Sequence, residues 1–293
     1  MRLLNASGCL DGLTAPDTAR ALDVFVTKTV TPAPREGNPA VRIAEIDAGM
    51  LNSIGLANPG RDRFVAESLP RLALLEIPLW VSVGGFAAHD YAELCSTLDE
   101  FAEIEALELN LSCPNVDEAP ETAEAIVLAC RAATGKPLYA KLSPANWNIA
   151  ESAKAVQAAG ADGLSLVNTI RGLALDERTL APILGRAVGG YSGPALKPIA
   201  LAAVHACWRA TALPIVGMGG VMNGRDVLEF IACGARDVAL GTVLFADPNA
   251  PGRVRAELAA EASSCGFASA DDAFACAHDA QSPVQVTRLL STL

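Results

Sequence analysis

Eight short apolar runs, each followed by a stretch of helical period, leave this chain few folds to choose from. The runs occupy residues 2–7, 24–30, 78–83, 106–112, 137–143, 163–169, 214–219 and 237–245. They are near-continuously apolar, as strands are when a parallel sheet is covered on both faces by helices. Amphipathic stretches lie between them, among them 62–76, 90–103, 121–134, 149–159 and 225–233. Several of these stop on a glycine and restart on a proline or an acidic residue. Examples are Thr134-Gly135-Lys136-Pro137, Ala159-Gly160-Ala161-Asp162 and Cys233-Gly234-Ala235-Arg236-Asp237, a helix end followed by a strand start. Eight such alternations with short connections predict a closed (β/α)₈ TIM barrel rather than an open doubly wound sheet. The 293 residues match one barrel, a fold that runs to about 250 residues or more. No low-complexity stretch divides the sequence, so residues 1–293 are expected to form one domain.

Composition narrows the function classes. A formal charge of −11 leaves no excess of Lys and Arg for a nucleic-acid surface. The opening Met1-Arg2-Leu3-Leu4-Asn5 is too short an apolar run for a secretory signal, and no stretch reaches the ~18 apolar residues of a membrane span. Eight cysteines are scattered, at positions 9, 95, 113, 130, 207, 233, 265 and 276, without a C-x-x-C pair. That spacing suggests neither a metal site nor a disulfide framework; reduced thiols in a cytoplasmic protein are the expectation.

The ends of the apolar runs carry the chemistry. They read Ser7-Gly8, Lys28-Thr29, Ser82, Asn110/Ser112/Cys113, Lys141/Ser143, Asn168-Thr169, Gly219-Gly220 and Gly241-Thr242. One Asn or Lys at a strand end has ordinary turn reasons. Six or more such ends point to a ligand, since a barrel of this type keeps its site on that face. Gly217-Met218-Gly219-Gly220-Val221 and Gly241-Thr242 fall at strands seven and eight, where bare backbone N–H groups can approach a phosphate. Gly189-Gly190-Tyr191-Ser192-Gly193-Pro194 is expected to add further amides before a helix starting near Ala195. A single glycine pair is ordinarily a turn. Three in register favour a phosphate-bearing cofactor.

Asn110-Leu111-Ser112-Cys113-Pro114-Asn115-Val116 stands between Gly49-Met50-Leu51-Asn52-Ser53-Ile54-Gly55-Leu56 and Val167-Asn168-Thr169. With Ala6-Ser7-Gly8-Cys9, Gly37-Asn38-Pro39, Ala140-Lys141-Leu142-Ser143-Pro144 and Ser192-Gly193-Pro194-Ala195, this string resembles the class 1 dihydroorotate dehydrogenases over nearly the whole chain. The likeness is strongest to the class 1B catalytic subunit. It implies FMN and the oxidation of dihydroorotate to orotate in UMP biosynthesis. Position by position, it implies that Ser7, Lys28, Thr29, Asn110, Lys141, Val167, Gly193, Gly219, Gly220, Gly241 and Thr242 surround FMN. The substrate is implied to meet Lys28, Asn52, Ser53, Ile54, Gly55, Leu56, Asn110, Asn168 and Thr169, with Asn115 nearby. Cys113 falls on the catalytic base. A homodimer is implied, with a possible second subunit carrying FAD and a 2Fe–2S cluster that relays electrons to NAD; class 1A enzymes use fumarate instead.

These residue types suit that reaction. It removes a proton from substrate C5 and a hydride from C6, and the hydride goes to flavin N5, so the protein must orient and tune the cofactor. A cation beside the N1–C2=O edge favours the anionic reduced flavin, and Lys141, inside an apolar strand, is the candidate. Lysines more often snorkel to a rim. Asn52, Asn110, Asn115 and Asn168 each offer a donor and an acceptor to the edge of an amide ring, and Lys28 can pair with the carboxylate. Cys113, whose bland reading is a small buried hydrophobe, is a competent base as a thiolate; an unperturbed thiol titrates near ~8.5.

Three features depart from the family. The first apolar run begins at Arg2, without the β-hairpin that usually precedes it, so either the barrel floor is plugged differently or Met1 is not the true start. Ser82 stands where a substrate-binding Asn is common. The loop after Val116 runs through Asp117-Glu118-Ala119-Pro120-Glu121 directly into a helix, where the family has a longer lid that excludes water. Two other readings stand beside the first: an FMN enzyme like the dihydropyrimidine dehydrogenase barrel, and a non-catalytic flavin-binding homologue. No Rossmann fingerprint or iron–sulfur cysteine cluster is present to name the electron acceptor.

Overall fold

The computed structural model describes residues 1–111 and 122–279. Its strands in chain order are β1 (Leu3–Asn5), β2 (Phe25–Val26), β3 (Ile43–Ile46), β4 (Gly49–Asn52), β5 (Leu79–Val83) and β6 (Ile104–Asn110). They continue with β7 (Leu138–Leu142), β8 (Gly163–Leu166), β9 (Ile170–Gly172), β10 (Gly189–Ser192), β11 (Ile215–Met218) and β12 (Asp237–Leu240). Eight of them form one parallel sheet in the order β1-β12-β11-β8-β7-β6-β5-β2. Helices such as Ala88–Asp99, Ala123–Ala133, Ile149–Ala158, Lys197–Ala210 and Gly224–Ala232 cover its outside. Each of the eight apolar runs coincides with one of these strands, as a TIM barrel requires, with β6 starting at Ile104, ahead of the run at 106–112.

The seam between β1 and β2 closes the barrel with little backbone to spare. One parallel bridge joins Leu4 to Val24, because β2 is only two residues long. The fully buried Asn5 supplies the missing rung with its side chain. Its Nδ2 donates to the Val26 carbonyl at 2.8 Å, and its Oδ1 accepts the Val26 N–H at 2.8 Å. The carboxamide thus imitates a peptide unit of a neighbouring strand. Asn5→Leu keeps the volume and strands two buried backbone groups, each costing about 1–3 kcal/mol unpaired. We expect a loss of roughly 2–5 kcal/mol of unfolding free energy, read by urea denaturation. A loss below about 0.5 kcal/mol would show that the seam closes without this rung.

Side chains alternate along the strands with period two. Leu79, Val81 and Val83 face the helices, where they join an outer core with Leu94, Val127, Val204 and Phe230. Trp80 faces inward with Leu4, Val26, Ala106, Val216 and Ala239. The floor of the barrel is aromatic and ionic: Trp80 and Tyr139 lie 4.2 Å apart, and the Arg2 guanidinium sits 5.4 Å from the Trp80 ring. Arg2 donates to Asp237 at 3.0 and 3.1 Å and to Glu105 at 2.8 Å, and Glu105 accepts from the Trp80 indole at 3.1 Å. These groups sit together at the N-terminal ends of the strands.

Three expectations need correction. The eighth run was read as continuing to 245, but β12 stops at Leu240 and Val243–Ala246 is a helix; Gly241-Thr242 ends the apolar ladder. The stretch 62–76 is not one regular helix. It comprises Arg61–Arg63, a π-helical turn at Phe64–Ser68, and Leu69–Ala73, with Pro70, which has no N–H to donate, just after the widened turn. Gly189 and Gly190 were expected to add amides to a phosphate loop, yet they lie in β10. That strand pairs antiparallel with β4 and β9, giving a four-stranded sheet of order β3-β4-β10-β9. The sheet is built from the long β2–β5 connection and from the segment after β8. It contributes Ile43, Met50, Asn52, Gly190 and Ser192 to the cleft at the barrel mouth. Among the described residues, no helix is long and apolar enough to cross a membrane.

Candidate active site

The C-terminal strand ends surround one cleft. Ser7, Lys28 and Thr29 enter it from the first two strands, Asn110 and Lys141 from β6 and β7, and Val167, Asn168 and Thr169 from the end of β8. Gly193, Gly219, Gly220, Gly241 and Thr242 line the opposite wall, and Asn52, Ile54, Gly55 and Leu56 come down from β4 and the chain beyond it. Ser53 does not join them. Its side chain is fully buried and accepts from Asn38 Nδ2 at 2.9 Å, because neighbours in extended chain point to opposite sides. Cys113 and Asn115 lie outside the described residues.

A chain of hydrogen bonds fixes the polar floor. Ser7 Oγ donates to the Thr27 carbonyl at 2.8 Å, and the Thr29 and Ser82 hydroxyls lie 3.0 Å apart. Asn110 Nδ2 donates to Thr29 Oγ1 at 3.3 Å, and Asn168 Nδ2 donates to Asn110 Oδ1 at 2.9 Å. Asn168 Oδ1 in turn accepts the Thr169 N–H at 2.8 Å, and the Tyr91 hydroxyl donates to the Asn110 carbonyl at 2.8 Å. Each carboxamide is oriented by these bonds and keeps donor or acceptor capacity for a planar amide ring. Ser82 is fully buried beneath Thr29; it orients the floor rather than lining the cleft.

Lys141 is the buried cation of the site. Its Nζ donates to Glu108 Oε1 at 3.2 Å, with the two side chains 7% and 2% exposed. Sequence reading missed Glu108. The signal was present: 106, 108 and 110 share one face of a strand, so a charge at 108 within Leu107-Glu108-Leu109 had to point into the barrel. Cys9 also went unread and lines the cleft beside Lys28. Burial pushes its thiol above the ordinary range, against the opposing pull of Lys141 and Lys28.

The glycine wall has the form of an anion cradle. Gly219 and Gly220 take φ of +121° and +77°, and a Cβ on Gly220 would come within 2.8 Å of the Gly193 carbonyl and of the Lys197 N–H. Backbone therefore converges there, at the start of the helix Lys197–Ala210. At Gly241 the reverse holds. A Cβ would make only ordinary van der Waals contacts, with Ala6 Cβ at 3.8 Å and Cys9 Sγ at 3.9 Å, so the backbone there lines the cleft without being crowded. Bare amides around the cleft fit a phosphate, and the buried ammonium fits an electron-rich ring edge beside it.

Comparison with known proteins agrees with this geometry. The family model described as dihydroorotate dehydrogenase matches residues 2–261. A Trichlorobacter lovleyi protein named dihydroorotate dehydrogenase B (NAD(+)), catalytic subunit, is 45% identical over 236 residues, 78% of each chain. Its Listeria welshimeri namesake is 44% identical over 234 residues, 78% of this chain and 77% of that one. In three dimensions the fold is similar to a dihydroorotate dehydrogenase of Eimeria tenella solved with ferulenol. The TM-score is 0.76 at 22% identity, covering 94% of this chain and 85% of that one. The chain belongs to the dihydroorotate dehydrogenase family, flavin-dependent oxidoreductases that convert dihydroorotate to orotate in pyrimidine biosynthesis.

Proposed function

We propose that the flavin is FMN, held in the cleft described above, and that dihydroorotate is oxidised against it with Cys113 as base. What supports this reading is the meeting, in one cleft, of a glycine cradle, a buried ammonium and carboxamides already oriented by the protein. Bound FMN would supply the acceptor for the hydride leaving substrate C6. The backbone at Gly219-Gly220 and Gly241-Thr242 would hold its phosphate. Lys141 would set a positive charge against the electron-rich edge of the ring, where it favours reduction. Asn52, Asn110 and Asn168 would hold the amide edge of dihydroorotate, and Lys28 its carboxylate. Cys113 would take the C5 proton. Cys9 is less suited to that task, since burial pushes its thiol up, away from the thiolate a base needs.

The relatives are named catalytic subunits of an NAD(+) enzyme. This supports a cytoplasmic complex in which a homodimer of this chain passes electrons to a subunit carrying FAD and a 2Fe–2S cluster. Co-expression and co-purification with such a subunit tests the assembly.

The activity has a direct optical test. The purified protein should be yellow, release FMN on denaturation, and bleach anaerobically with dihydroorotate but not with dihydrouracil or dihydrothymine. Bleaching by the neutral rings would favour a dihydropyrimidine enzyme and count against a role for Lys28 in carboxylate binding. A yellow protein that none of the three bleaches would be a flavin-binding homologue without this chemistry.

A further inference from the structure

We propose that Glu108 is a positioning residue that keeps Lys141 charged before electrons arrive, so that two-electron reduction of the flavin takes up one proton rather than two. The inference deepens the reading of the cleft as an FMN site and rests on it. Its ground is a juxtaposition the sequence did not suggest. The Glu108 carboxylate lies 3.2 Å from the Lys141 ammonium, both side chains are less than a tenth exposed, and only Lys141 lines the cleft. Glu108 is therefore placed to act on a cofactor through Lys141, without touching it.

Burial alone disfavours an ammonium, and an adjacent carboxylate restores it. A buried ion pair is a poor device for stability, because desolvation of both ions offsets their attraction. Its presence under a redox site calls for another use. Among the described residues, Glu108 is the carboxylate that pairs with Lys141. Lys28 is a like charge, and burial pushes the Cys9 thiol up, against its ionised form. Asn110 and Ser165, the strand partners of Lys141 on β6 and β8, are neutral, and the Ser165 hydroxyl is buried without a hydrogen-bond partner.

The electron count makes this measurable. Hydride transfer delivers two electrons and one proton, so the flavin gains one negative charge. If Lys141 is already an ammonium, that charge is met without a further proton. If Lys141 is neutral beforehand, the new charge draws a second proton onto it. For a two-electron couple each proton taken up moves the midpoint by about 30 mV per pH unit. Spectroelectrochemical titration of the FMN-loaded protein from pH 6 to 9 should therefore give a one-proton slope for the wild type. Glu108→Gln should steepen toward the two-proton slope. Glu108→Asp, which keeps the charge, should restore one proton. Lys141→Met, which removes the cation altogether, should lower the midpoint. An unchanged slope in Glu108→Gln, with the midpoint unmoved or raised, overturns the proposal.

A second arm needs no flavin. Reductive methylation modifies only the neutral amine, so at pH 8 the Lys141 peptide of flavin-free Glu108→Gln should label at least tenfold faster than in the wild type. Equal rates overturn the proposal. A protein that never takes up FMN refutes the reading of the cleft, and labelling still decides the Glu108–Lys141 relation. If Glu108→Gln does not fold, Glu108→Asp and the wild type carry the test: a two-proton slope in the wild type refutes it.

Discussion

Cys113→Ser should slow anaerobic flavin bleaching by dihydroorotate by ~10²-fold or more, within the range for loss of a general base, while flavin content and substrate affinity stay unchanged. Serine is nearly isosteric, but its hydroxyl is not ionised near neutral pH without a neighbouring base. The described part of the cleft offers none. No histidine lines it: His205 and His278 stack on each other 4.1 Å apart elsewhere in the fold. Cys9 is the one thiol among the described lining residues, and burial pushes it up from the ordinary thiol range. The pH profile gives the sign. A thiol base works as thiolate, so the wild-type rate should climb as pH rises toward the ordinary thiol value of ~8.5, and that limb should vanish in the variant. Stopped-flow bleaching measures both. A variant as fast as the wild type, with the same pH profile, would remove Cys113 from the chemistry.

The barrel was legible because strands buried on both faces have to be apolar throughout, and eight such runs admit few arrangements. The mouth sheet was not. β3 alternates between exposed and half-buried positions, and β10 begins with Gly189-Gly190, which reads as a turn. What makes these segments strands is each other. Gly190 pairs with Asn52 across 138 positions of sequence, and a Cβ there would come within 2.2 Å of Thr169 Oγ1. That glycine is demanded by the close approach of the Thr169 side chain, which no local pattern records.

The site divides along the same line. Residues whose role is to point from a strand end into the cleft could be read from position and type, as with Lys28, Asn110, Lys141 and Asn168. Residues that work through another side chain could not. Glu108 matters because of where Lys141 lies on the next strand, and Asn5 because β2 is too short to close the seam. Ser53 was assigned to the substrate by the family resemblance, and the alternation of extended chain sends its side chain the other way, to Asn38.

Gly220→Asp should give a colourless protein, and the structure separates the two reasons. One is charge. A carboxylate about 4 Å from a phosphate, at an effective dielectric near 20, costs roughly 4 kcal/mol, or about 10³-fold in affinity. The other is strain. Gly220 has φ of +77°, and a Cβ there meets the Gly193 carbonyl and the Lys197 N–H at 2.8 Å, so any side chain disturbs the loop. Gly220→Ala carries the strain without the charge. Gly241→Asp carries the charge without the clash, since the nearest protein atom to its Cβ is 3.8 Å away. If FMN phosphate sits in this cradle, Gly241→Asp should fold with the wild-type unfolding midpoint, yet bind FMN at least a hundredfold more weakly by fluorescence quenching. It should recover part of that affinity for riboflavin, which lacks the phosphate. Gly220→Ala should lose some stability and hold flavin better than Gly220→Asp. Full FMN occupancy in both aspartate variants would move the phosphate elsewhere. So would an equal loss of FMN and riboflavin in Gly241→Asp, because the damage would then be to the fold of the cleft and not to an anion site.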